Sequence, residues 1–238
     1  MTEYTSGHIR VAWAVHALTA SGVIVGYVAL NSVIEGHARA AILWLVGTLL
    51  VDAVDGPIAR HLDVKARVPQ LNGEVLDLVI DYFTGVVVPV AFIYRFDLVP
   101  DDTGGPIGFT ILFISALWMA RRDQETVDGW FRGFPVAWNM IIPTLYLIRG
   151  NGWVNLTICA ALCVLTLSHV NFPHPVSVRE RRGISLGFMV LWLGSMLWLA
   201  IAQHDVAPVR IVLIIAPLWT IAQMIMRLRQ PPVAIGHR

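Results

Sequence analysis

The stretch Ala41-Ile42-Leu43-Trp44-Leu45-Val46-Gly47-Thr48-Leu49-Leu50-Val51-Asp52-Ala53-Val54-Asp55-Gly56-Pro57-Ile58-Ala59-Arg60 decides the fold. From Ala41 to Val51 apolar residues follow one another with no alternation. A membrane β-strand shows alternating polarity over about ten residues, whereas a lipid-embedded helix is apolar all round. The block is therefore read as a helix running over 38–60, near the about 20 residues needed to cross the hydrocarbon core. Ile184–Ala202 reads the same way. The end of the first block is unlike an ordinary span, because two aspartates, a glycine and an arginine crowd its last turns.

Working outward, eight spans are expected, at about 11–33, 38–60, 73–96, 106–121, 134–149, 152–170, 183–203 and 207–227. The fourth and fifth are short. Val99-Pro100-Asp101-Asp102-Thr103-Gly104-Gly105-Pro106 is a turn-rich connection. Asn171-Phe172-Pro173-His174-Pro175 ends the sixth span, since proline disfavours helix at itself and just before itself. The expected fold class is all-α: a polytopic membrane helix bundle forming one integral membrane domain over 1–238.

Composition agrees. Of the 238 residues 56% are hydrophobic and 14% charged, where soluble domains carry about a quarter charged. Mean hydropathy is +0.67, and the nine tryptophans suit a membrane interface. A net charge of +1 supplies no basic field for nucleic acid. Cys159 and Cys163, one helical turn apart in an apolar block, are read as reduced packing residues, since a metal there would lack further ligands. The stretch from Met1 to Arg10 lacks the pattern of a cleaved signal, so the first block is expected to be retained. Thirteen of the 17 lysines and arginines, Arg10, Arg60 and Arg238 among them, fall on the side shared by both termini and the loops 61–72, 122–133 and 171–182. The positive-inside rule then puts both termini in the cytoplasm.

The third span begins Gly73-Glu74-Val75-Leu76-Asp77-Leu78-Val79-Ile80-Asp81. Asp52 and Asp55 are three apart, and Asp77 and Asp81 four apart, so each pair projects from one helix face. Two antiparallel helices joined by a twelve-residue connection bring both pairs together near one membrane surface. Each membrane carboxylate costs a few kcal/mol (about 2.5–3.5 on the most lenient scale), and the four repel one another. Hard oxygen donors of this kind suit Mg2+ or Mn2+, and two such ions can neutralise a pyrophosphate. Arg60 adds a fixed charge for phosphate oxygens, and the small Gly56, Ala59 and Gly73 let a flat nucleotide approach the backbone. Two alternatives remain: structural carboxylates each paired with a base, for which Arg60 alone lies nearby, and an ion transporter. Transport carboxylates tend to sit at the bilayer midplane beside broken helices, whereas these sit at one end of their helices.

The pattern Asp-x2-Asp-Gly-x2-Ala-Arg followed by Gly-x3-Asp-x3-Asp is filled by Asp52, Asp55, Gly56, Ala59, Arg60, Gly73, Asp77 and Asp81. It resembles the signature of the CDP-alcohol phosphotransferases. The twelve residues between Arg60 and Gly73 exceed the gap in many members, and eight spans are more than usual. Both departures resemble one branch, the bacterial phosphatidylcholine synthases. So do His16-Ala17-Leu18-Thr19-Ala20-Ser21-Gly22, Leu50–Arg60, Gly133-Phe134-Pro135-Val136-Ala137-Trp138-Asn139-Met140 and Asn171-Phe172-Pro173-His174-Pro175-Val176.

The resemblance implies a core over about 11–170 with two added spans at 183–227. It implies Asp52, Asp55, Asp77 and Asp81 as ligands of two divalent ions, Mn2+ or Mg2+, with Asp81 as general base. Gly56, Ala59, Arg60 and Gly73 would line the site of CDP-diacylglycerol. The acceptor it implies is choline, with glycerol 3-phosphate, serine or inositol as alternatives, in a homodimer at the bacterial inner membrane with the site facing the cytoplasm. A quaternary ammonium is held by aromatic faces, so the choline candidates are Tyr82, Trp130, Phe131 and Trp138, with Asn139 for the hydroxyl and Asp123, Glu125 and Asp128 to attract the cation. Against these stand plainer roles: Trp130 as an interface anchor and Trp138 as a packing residue. His174, between two prolines, is read as a loop residue, with contact to a headgroup or phosphate as the alternative.

Overall fold

The computed structural model describes residues 5–202 and 207–229. Residues 1–4 of the polar N-terminus, residue 203 at the end of the seventh expected span and Arg238 of the charge count lie outside the described residues. Within them the chain is a polytopic membrane helix bundle. Five helical runs are long and apolar enough to cross a membrane: α1 (Ser6–Ile34), α2 (Ala38–His61), the run Gly73–Arg95, α9 (Arg182–Ile201) and α10 (Ala207–Leu228). Three shorter apolar helices stand where the fourth, fifth and sixth spans are expected, namely α6 (Gly104–Met119), α7 (Trp138–Ile148) and α8 (Gly152–Thr166).

The run Gly73–Arg95 is not uniform. It consists of α4 (Gly73–Tyr82), a π-helical turn (Phe83–Val87) and α5 (Val88–Arg95). Pro89 has no N–H to donate to the carbonyl one turn back. The ladder loses a bond there, and the wider turn lies immediately before it. On α1, Gly22 and Gly26 form a small-x3-small stripe of the kind that brings membrane helices close. A methyl group at Gly26 would stand 2.6 Å from the Thr84 methyl, and one at Gly22 would stand 3.1 Å from Ile80. These two positions let α1 lie directly on the helix that carries Asp77 and Asp81.

Three connections expected as loops have structure of their own. Between α2 and α4 the chain forms a helical turn, α3 (Val64–Arg67). Val64 and Val68 are buried against Ala12 and Val15 of α1, with Leu62 and Leu71 packed beside them. This small cluster, separate from the main core, pins the long connection. The loops after α6 and α8 pair as a two-stranded antiparallel ribbon, β1 (Trp130–Arg132) with β2 (Asn171–Pro173), in the register Phe131↔Phe172. Aromatic residues favour such a pairing.

The fifth expected span, 134–149, is corrected: only Trp138–Ile148 is helical. Gly133 and Val136 have φ of 87° and 57°, which breaks a helix. The irregular segment is satisfied within the protein, as a chain in lipid requires: Gly133 N–H donates to Val170 O (2.9 Å) and Phe134 N–H to Leu165 O (3.2 Å). Phe134 and Val136 are buried.

One large apolar core joins residues from α1 through α10, with Phe92, Ile142, Met196 and Leu213 fully covered. Polar links cross it, as is common between membrane helices. Trp192 of α9 donates to Thr144 of α7 (2.8 Å), and Ser185 of α9 donates to Gln223 of α10 (3.3 Å). Cys159 and Cys163 are free thiols packed in this core, as expected.

Candidate active site

The C-terminal end of α2 and the N-terminal end of α4 meet beside α1 and enclose a cavity of about 600 Å3. Asn72 sets where α4 begins, its side chain accepting from the N–H groups of Glu74 and Val75 (3.1 and 3.3 Å). That cap satisfies two of the open donors of the first turn. It fixes Gly73 at the cavity wall and Asp77 one turn further in. The pinned connection supplies the remaining wall through Asp63, Val64, Lys65, Pro69 and Leu71. Lys65 and Glu74 pair at 2.9 Å on the rim, where both are exposed and the pair adds little stability.

Asp52, Asp55 and Asp77 converge so that one carboxylate oxygen of each lies within 4.8 Å of the others. Asp55 is buried, Asp77 half-buried and Asp52 exposed. Three hard oxygen donors at this separation can hold a divalent cation. Asp81, one turn beyond Asp77 on α4, is near enough to feel the charges of Asp52, Asp77 and Asp55. Arg60 folds back over its own helix: a methyl group at Gly56 would lie 3.4 Å from its terminal nitrogen. Asp55, Gly56, Ala59, Arg60, Gly73 and Asp77 all line the cavity, so two carboxylates, a guanidinium and three small residues face one space.

The choline candidates lie elsewhere, and none of them lines the cavity. Tyr82 donates its hydroxyl proton to Leu112 O (3.0 Å). Trp138 is 1% exposed, donates to Ser115 (3.1 Å) and meets Phe134 edge-on. Trp130 is buried, and the Arg227 guanidinium lies over its ring. Asn139 is buried beside Gly85 of the π turn. Phe131 stacks on His174 with centroids 4.9 Å apart. Trp138 thus packs in the core, and one face of Trp130 carries the Arg227 guanidinium. Of the acids, Asp123 is bound by Arg121 (2.9 Å) and Arg132 (3.2 Å). Hydrogen bonding from Arg121 is the first cause that holds its carboxyl down at about 2. Asp128 pairs with Arg227 at 2.5 Å.

No family model matches the chain. Individual relatives do. The phosphatidylcholine synthase of Pseudomonas aeruginosa is 38% identical over 198 residues, covering 83% of this chain and 83% of that protein. This chain belongs to the phosphatidylcholine synthase family. The phosphatidylcholine synthase of Mesorhizobium japonicum is 37% identical over 198 residues, 82% of this chain and 73% of its own length. That of Borreliella burgdorferi is 32% identical over 185 residues, 77% and 79% respectively. The family agrees with the resemblance carried by the aspartate pattern.

Among the wall residues outside the aspartate pattern is a histidine of α1. His16 of α1 is 7% exposed, faces the cavity and has no hydrogen-bond partner for its buried Nε2 among the described residues. In the sequence it stands in an apolar span, some distance from the aspartates. The one signal that marks it there is its place in a stretch resembling the family.

Proposed function

We propose that the protein is a phosphatidylcholine synthase, transferring the phosphatidyl group of CDP-diacylglycerol to choline with release of CMP. The observation that carries this reading is the convergence of Asp52, Asp55 and Asp77 beside a cavity that Asp55, Asp77, Arg60 and three small residues line, in a chain whose relatives bear that name. Asp52, Asp55 and Asp77 would hold a divalent ion, Mg2+ or Mn2+, and Asp81 would join them around a second. When bound, the ions supply positive charge to the pyrophosphate and its leaving group. Arg60 would hold phosphate oxygens, while Gly56, Ala59 and Gly73 leave room for the nucleotide.

Asp81 is assigned as the general base. It takes the proton of the choline hydroxyl as that oxygen bonds to the phosphorus carrying diacylglycerol. The bond from that phosphorus to the CMP oxygen breaks, and CMP leaves with the electron pair. The chain's share of the rate comes from positioning and from charges arranged in advance. The acceptor candidates are Tyr82 and Asn139, deeper along α4 and at the start of α7, with Trp130 and Trp138.

The reading extends to placement. The ribbon ties loop 122–133 to loop 171–182, and the Asp128–Arg227 pair brings the end of α10 to the same region. Arg60 is near enough for its charge to act on His174. These contacts support one basic end of the bundle, which the positive-inside rule assigns to the cytoplasm. We place the protein in a bacterial inner membrane with the cavity and both termini on that side. The shared core supports one domain, in which α9 and α10 are additions to a six-span core, and family resemblance supports a homodimer.

The test is CMP release from CDP-diacylglycerol by purified protein with Mg2+ or Mn2+. Release that requires choline supports the proposal. Release that requires glycerol 3-phosphate, serine or inositol instead changes the acceptor, and absence of CMP with every acceptor rejects the enzyme.

A further inference from the structure

We propose that His16 binds the cytidine portion of the nucleotide, and that Gly73, besides leaving room for the nucleotide, is small enough to admit the His16 ring beside it. This inference rests on the nucleotide reading of the cavity. His16 is more than nine-tenths buried within α1, yet its Nε2 has no partner among the described residues. Buried polar atoms are nearly always satisfied, so an orphan in a cavity wall points to a ligand. The ring lies on the same wall as Gly73: a methyl group there would be 3.1 Å from its Cε1 and 3.5 Å from its Nδ1. That is tighter than ordinary packing, so a side chain at residue 73 pushes the imidazole out of place.

The charged parts of a nucleotide have partners already. Phosphate oxygens suit Arg60 and the cation that the carboxylates would hold. An imidazole nitrogen donates or accepts a single hydrogen bond, which suits a ribose hydroxyl or a base edge. The acceptor candidates Tyr82 and Asn139 do not line this cavity, so His16 belongs to the donor substrate rather than to the alcohol.

The full-length protein in detergent is compared with His16→Phe, which keeps a ring against Gly73 but removes the nitrogen, and with His16→Gln, which keeps an amide. CMP affinity is measured by calorimetry with Mg2+ present, and pyrophosphate affinity in parallel. Losing one buried hydrogen bond costs about 10-fold in affinity. CMP affinity is expected to fall by that factor in His16→Phe and to recover in part in His16→Gln, with pyrophosphate affinity unchanged. The KM for CDP-diacylglycerol rises alongside, while that for choline stays put. Gly73→Ala lowers CMP affinity by a larger factor in the wild-type background than in His16→Ala. CMP affinity at the wild-type level in His16→Phe overturns the inference, as does an equal loss for pyrophosphate. If His16→Phe fails to fold, His16→Gln decides: a loss equal to that of His16→Ala removes the hydrogen-bond role. A wild-type protein that neither releases nor binds CMP rejects the function itself, an outcome distinct from the others.

Discussion

The Arg227 guanidinium, in the last turn of α10, lies 5.3 Å from the centre of the Trp130 ring in β1. A cation over an indole face contributes about 0.5–2 kcal/mol depending on its desolvation, and Arg227 also pairs with Asp128. The contact ties the last span to the ribbon above the bundle. Arg227→Ala is expected to lower stability by about 1–2 kcal/mol in thermal unfolding in detergent. Arg227→Lys should recover less than half, because an ammonium lacks the planar stack. A cycle of Arg227→Ala with Trp130→Ala that shows no coupling would remove the stacking contribution.

Asp81→Asn keeps the shape of the side chain and removes the base. Turnover is expected to fall by about 10²–10⁴-fold, while CMP binding, measured by calorimetry, stays near wild type. Normal turnover by this variant would falsify the base assignment.

The carboxylate triad makes activity depend on a divalent ion. Chelation is expected to abolish CMP release, and Mg2+ or Mn2+ to restore it. Asp55 is the buried member of the triad, so Asp55→Asn should raise the metal concentration for half-maximal rate by more than the about 10-fold typical of losing an outer partner. An unchanged metal titration counts against Asp55 as a ligand.

The close approach of α1 to the π turn depends on Gly26. Gly26→Ala puts a methyl 2.6 Å from the Thr84 methyl, and overpacking of this kind costs about 1–3 kcal/mol. Thr84→Ser removes that methyl and keeps the hydroxyl that donates to Ile80 O. The double variant should therefore recover part of the lost melting temperature, and a purely additive result would mean that the two residues do not touch.

His174 carries a prediction about protonation. Its Nδ1 accepts from the N–H groups of Val176 (3.1 Å) and Ser177 (3.3 Å), so the proton of the neutral ring sits on Nε2. Burial holds the imidazole below the ordinary 6.5, with the Glu125 charge acting in the opposite direction. A lowered value means that this contribution to stability is complete above about 6.5 and is lost as pH falls through the folded value. Nitrogen-15 spectra of histidine-labelled protein, assigned with His174→Ala, should show the Nε2–H tautomer at neutral pH and a midpoint under 6.5. An Nδ1–H tautomer would contradict the turn geometry.

Much of the acidic cluster was already legible in the chain. Asp52, Asp55, Asp77 and Asp81 stand at helical spacings, so knowing that two helices end there is enough to place each pair on a face. Arg60, Gly56 and Gly73 follow from the same periodicity. The choline candidates were not legible in this way, because an aromatic residue near a membrane end reads alike whether it lines a pocket or packs a core. Only the tertiary structure shows what surrounds Trp138 and Trp130, Ser115 and Phe134 for one and Arg227 for the other.

The sequence by itself determined the helical bundle and the acidic site, because hydrophobic runs and i, i+3 and i, i+4 spacings are local properties that survive any arrangement of the helices. Only the tertiary structure decided the rest. The turn Val64–Arg67 exists because Val64 and Val68 find Ala12 and Val15 on a distant helix. The ribbon exists because two loops about forty residues apart exchange backbone hydrogen bonds that neither can satisfy alone. His16 joins the aspartate cavity because Gly22 and Gly26 let α1 lie against α4 and the π turn. Each of these is a contact between residues remote in sequence, which no local pattern encodes.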